Sequence, residues 1–119
     1  MKYMLLIHQG DTPTPRDPEA WARLSEDEQK AVFADYQALN ETPGVTPGLQ
    51  LAEPDTATTV RVQDGRTLTT DGPFVELKEA VGGYFMFEAD HLDAAIDVAS
   101  RVPAARMGGA VEVRPIVER

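Results

Sequence analysis

The stretch "YFMFEA", Tyr84–Ala89, is a continuous apolar run, and "YMLLI", Tyr3–Ile7, is its counterpart near the start of the chain. Continuous runs of strand-forming residues, rather than alternation, mark strands covered on both faces and so central in a sheet. Each run leads towards a helix. After "YFMFEA", Asp90 is placed to cap a helix with Asp93 at its third position. Leu92, Ala95, Ile96 and Ala99 then form the apolar stripe, and Pro103 ends it. After "YMLLI", the prolines of "TPTPRDP" enforce a loop. Asp17 and Pro18 then read as an N-cap and first helical residue of a short turn through Trp21 and Leu24. Ser25 and Glu28 have capping-box spacing. Val32, Tyr36 and Leu39 follow at helical intervals, with Phe33 beside them, and the helix ends near "ETPG".

Three segments complete the order. "GLQLAEP" reads as a short alternating strand with Leu49 and Leu51 on one face. "TTVRVQDGRTLTT" is a hairpin closed by Asp64-Gly65, a favoured two-residue turn. "AVEVRPIV" alternates Val111 and Val113 against Glu112 and Arg114, and its Pro115 suits an edge strand. The sum is one α+β domain over residues 1–119, a ferredoxin-like βαββαβ pattern with an inserted β-hairpin. In that topology the first and third strands are central and both helices lie on one face. The other face, carrying residues of "YMLLI" and "YFMF", exposes more apolar surface than a soluble monomer tolerates, which predicts a homodimer paired sheet to sheet, the alternative being loops and the hairpin folded over that face.

Composition narrows the function. Twenty acidic residues against eleven Lys and Arg give a formal charge of -9, scattered along the chain. No basic cluster exists to meet phosphates, so neither nucleic acid nor an anionic membrane is an expected partner, and a small molecule or protein is. There are no cysteines. Disulfides, thiol nucleophiles and thiolate metal sites are therefore excluded, in keeping with a reducing cytoplasm. His8 and His91 are the only histidines. With no H-x-H or H-x-x-x-H spacing they give no basis for a metal site. The Gly82-Gly83 pair lacks phosphate-loop spacing and reads as the end of a turn entering the central strand, so no cofactor is expected.

The candidate site centres on "TTDGPFVELKEAVGGYF", Thr69–Phe85. Asp71, Gly72 and Pro73 have the chemistry of a tight turn, and such a turn also presents Asp71 as an acid, base or ligand anchor. Phe74 is a core plug or a pocket wall. Glu76, Lys78 and Glu79 read as a solvated helical turn with Leu77 and Val81 facing inwards; Lys78 turned into the pocket would take an anionic ligand. His8, at the exit of a central strand, is either a hydrogen-bonded rim residue or a proton-transfer group working with Asp71.

The motif "TDGPFVELKEAVGGYFMFEADHLDAAIDVASRVP" followed by "GGAVEVRPI" resembles the DGPF branch of the YCII-related family, and the likeness runs from "MKYMLLI" to the C-terminal strand. The resemblance implies a dimeric α/β barrel. It also brings two functional associations: a His-Asp pair in a cleft among YCII-like relatives, and accessory roles beside extracytoplasmic-function sigma factors among DGPF relatives. This chain departs from the first, because its first helix has no histidine. Three functions stay open: a cofactor-free acid/base enzyme using His8 and Asp71, a non-catalytic small-molecule sensor or accessory protein, and an interaction module without a ligand.

Overall fold

The computed structural model describes residues 1–53, 56–72 and 81–118. Six strands and four helices follow in the order β1 (Lys2–His8), α1 (Pro18–Ala22), α2 (Glu26–Glu41), β2 (Val45–Gln50), β3 (Thr58–Gln63), β4 (Arg66–Asp71), β5 (Val81–Glu88), α3 (Leu92–Ser100), α4 (Pro103–Arg106) and β6 (Ala110–Pro115). Four strands form one antiparallel sheet in the order β2-β5-β1-β6. The two apolar runs are thus its centre, and the arrangement is a mixed α+β one compatible with a ferredoxin-like fold. Among the described residues β3 and β4 pair only with each other, as a separate ribbon.

Local chemistry accounts for the helix starts. The Asp17 carboxylate accepts from the Ala20 amide at 3.2 Å, with Pro18 opening α1. At α2 the capping box is reciprocal: Glu28 N–H donates to the Ser25 hydroxyl, and Ser25 N–H donates to the Glu28 carboxylate. Gly44 turns the chain from α2 into β2 with φ of +89°, a left-handed conformation that glycine adopts without strain. The hairpin turn has positive φ at both Asp64 (+52°) and Gly65 (+75°), as a two-residue turn matched to strand twist requires.

Four expectations need correction. The cap of α3 is His91, whose side chain makes no capping bond, rather than Asp90. The face of α3 that reaches the core is Ala95, Val98 and Ala99, while Leu92 and Ile96 are about half exposed. Small side chains let the helix approach the sheet closely, and that rotates the two larger residues outwards. Pro103, beyond the end of α3, opens the one-turn helix α4. Finally, β2 begins at Val45, its ladder with β5 shifts between Pro47 and Gln50, and Leu49 and Leu51 are exposed rather than packed on one face.

The core lies between sheet and helices. Tyr3, Leu5 and Ile7 of β1 and Phe85 and Phe87 of β5 meet Leu39 of α2, the small residues of α3, and Val102 and Ala104. Met4, Leu6, His8, Tyr84 and Met86 alternate onto the other, helix-free face, with Glu112 and Arg114 of β6 beside them. The central strands are therefore fully buried on one face and only half-buried on the other within a single chain. The chain extends over 52 × 43 × 18 Å with a radius of gyration of 16.2 Å. A compact chain of this length has roughly 13–14 Å. The excess comes with the β3–β4 ribbon, nearly all of whose residues are exposed.

Candidate functional site

Two places carry chemistry, on opposite sides of the sheet. On the helix side, a cleft of about 320 Å³ opens between α1, α2 and the β1-β5-β2 strands. Its walls hold two aromatic pairs. Trp21 meets Phe33 edge to face, centroids 5.5 Å apart, and Tyr36 stacks on Phe85 at 6.3 Å. Gln29 fixes the corner between α1 and α2 by donating to the Trp21 carbonyl at 2.9 Å. Arg16, next to the lining residue Pro15 in sequence, donates to the Leu51 carbonyl with Glu53 at 3.6 Å. Gln9, Thr14, Asn40 and Gln50 contribute neutral polar groups, and none of the described lining residues is charged. Burial in this wall raises the pKa of Tyr36, an effect that the positive charge of Arg106 partly offsets, so its hydroxyl stays protonated and able to donate.

Glycines shape the cleft. Gly82 and Gly83 both belong to β5 and line the cavity, and the turn they were expected to end lies outside the described residues. A Cβ on Gly48 would fall onto the Tyr84 carbonyl and within 2.6 Å of its ring, so β2 lies as close to β5 as it does only because position 48 has no side chain.

The second place is on the helix-free face. His8 Nε2 and Glu112 Oε1 are 3.2 Å apart, and the other oxygen of Glu112 accepts from Arg114. The Arg114 hydrogen bond, then the His8 bond, hold the Glu112 carboxyl below its usual range. His8 is about 20% exposed and Glu112 about 38%. The pair has the form of an imidazole oriented by a carboxylate, itself anchored by a guanidinium. Sequence reading missed Glu112 and Arg114 as partners of His8. The signal was there: βαββαβ topology sets the last strand beside the first, and alternation with Val111 and Val113 puts both on the helix-free side.

The structure does not bring the expected residues into one site. His8 faces away from the cleft, while its neighbours Ile7 and Gln9 line it. Asp71 is exposed at the end of β4, opposite Thr58, and no described contact joins it to His8. Gly72 has φ of +97°; its N–H donates to the Ala57 carbonyl, and its own carbonyl accepts from Thr59 at 2.7 Å, closing the base of the ribbon. Pro73, Phe74 and Lys78, with the rest of 73–80, lie outside the described residues. Among the described residues no group of three or more His, Asp or Glu is arranged to hold a metal ion, and no helix is long and apolar enough to cross a membrane.

These features define a small antiparallel α+β domain with an aromatic cleft under its helices, uncharged among the described residues. The sequence model of the YCII-related domain matches residues 1–119, and the chain belongs to that family. It is also similar to an uncharacterised protein of Rhizobium meliloti (strain 1021), 31% identical over 121 residues that span 98% of this chain and 92% of the relative.

Proposed function

We propose that the protein binds a small, neutral, planar organic molecule in the cleft between α2 and the sheet. The observation that carries this reading is a cavity of about 320 Å³ walled by two aromatic pairs and free of charged lining among the described residues. That size is within the usual span of small-molecule sites, roughly 300–1,000 Å³, which combine apolar walls with a few orienting polar groups. Homodimerisation through the helix-free face, closing a two-sheet barrel, belongs to the same reading. Met4, Leu6, Tyr84 and Met86 give that face an apolar strip that a second copy would cover. The "TDGPF" motif supports reading the chain as one of the DGPF branch.

Trp21 is the only tryptophan and lines the cleft. Its fluorescence should therefore be quenched saturably by 2-naphthol, a neutral planar probe, and much less by naphthalene-2-sulfonate. Phe33→Ala should weaken 2-naphthol binding about tenfold, the equivalent of about 1.4 kcal/mol. Absence of saturable quenching would remove the reading. Whether a molecule retained from the native host is changed or merely held separates enzyme from sensor, and mass spectrometry of that molecule before and after incubation decides it.

A second reading rests on the His8–Glu112–Arg114 chain. In a barrel dimer this group would face the interior between the two sheets, where His8 could exchange a proton with a substrate while Glu112 fixes its ring. His8→Ala should then abolish turnover and leave the fold intact. Asp71 joins this chemistry only if a bound molecule or a second subunit reaches the ribbon.

A further inference from the structure

From the exposure and charge of the β3–β4 ribbon we infer that it is an arm that packs on a second copy of this chain. The inference rests on the dimer reading above. A two-stranded hairpin with no third strand or helix against it is marginal in water. Here Val60, Val62 and Leu68 are 59%, 68% and 43% exposed, and among the described residues neither strand packs substantially on the body. Register puts Val60 and Val62 on one face of the ribbon with Thr67 and Thr69, a strip of β-branched side chains suited to lying on another surface.

Charge and area select the occupant. In the arm, Arg61 and Arg66 balance Asp64 and Asp71, so residues 58–71 have no net charge and the whole formal charge of -9 lies elsewhere. The arm can therefore approach a second copy of an acidic chain without the repulsion that two bodies would meet. The helix-free face, four strands wide and six to eight residues long, offers roughly 400 Å² in projection. A stable interface takes about 800 Å² from each partner. Each face of the arm, two strands of six residues, covers roughly 200 Å². In a symmetric dimer every copy gives one arm and receives another, and that exchange adds to the area the two sheet faces bury.

The test uses the full wild-type chain at about ten micromolar. Light scattering after size exclusion reads its mass, and hydrogen exchange with mass spectrometry reads the amides of residues 58–71. A dimer whose arm amides exchange at least tenfold more slowly than an unstructured peptide is the expected result. Val60→Lys/Val62→Lys should then weaken the dimer about tenfold or more while leaving the circular dichroism of the body unchanged. A dimer whose arm exchanges at the free rate, or whose affinity ignores the double substitution, overturns the arm and leaves the dimer standing. A monomer overturns both.

Discussion

Gly48→Ala should be severely damaging for the addition of a single methyl. The backbone at position 48 is not left-handed, so alanine meets no conformational strain there. The obstacle is steric. The new Cβ would fall onto the Tyr84 carbonyl and lie 2.6 and 2.7 Å from two carbons of the Tyr84 ring. Carbon pairs rest at about 3.5–4.0 Å, so β2 would have to retreat by about 1 Å. The ring can swing aside, but the carbonyl cannot, because Tyr84 is laddered to Leu6 in the centre of the sheet. The cost should lie at the upper end for overpacking, about 3 kcal/mol. For a domain of this size that lowers Tm by about 10 °C. Urea and thermal unfolding followed by circular dichroism measure it. Gly65→Asn is the control: nothing lies within 4 Å of a Cβ there, and Asn tolerates the turn's φ of +75°, so the loss should stay within about 1 kcal/mol. If Gly48→Ala also costs less than about 1 kcal/mol, β2 is not held against β5 as described, and the cleft wall it forms is wrong.

Other expectations follow from the packing and the caps. Leu39, 1% exposed, anchors α2 in the core, and Leu39→Ala should cost about 3 kcal/mol by urea unfolding. Ser25→Ala removes the acceptor of the α2 capping box and should cost about 1 kcal/mol, with a matching loss of helical ellipticity on warming. Tyr36 has a folded pKa raised above the ordinary 10.0, chiefly by burial. Its contribution to stability is therefore complete below that ordinary value and is lost as pH rises through the folded one. The urea midpoint should fall through this alkaline window, and Tyr36→Phe should flatten that limb; an unchanged slope would contradict the burial of the phenol.

Much of the fold was legible because its determinants are local. Asp17-Pro18, the Ser25–Glu28 spacing and Asp64-Gly65 each specify a cap or a turn within four residues. The two apolar runs located the central strands. What failed depended on distances that periodicity does not hold. Helical spacing alone could not tell whether Leu92 and Ile96 or Ala95 and Ala99 would face the sheet, because that turns on how closely α3 approaches. The cleft was invisible for the same reason: Trp21, Phe33, Tyr36, Leu49 and Phe85 come from separate segments and acquire a common purpose only when folded. His8 does close β1, but its partner is 104 residues away in sequence, across a ladder.

The end of β1 is a partition one residue thick. Ile7 and Gln9 belong to the chamber under the helices, and His8, between them, belongs to the other side. The ladder to β5 slips between Ile7 and His8, so this point is less firmly clamped than the rest of the strand. Ile7, His8 and Gln9 are consecutive on one backbone, so a shift of the chain at this slip in the ladder would move the chamber wall and the imidazole together.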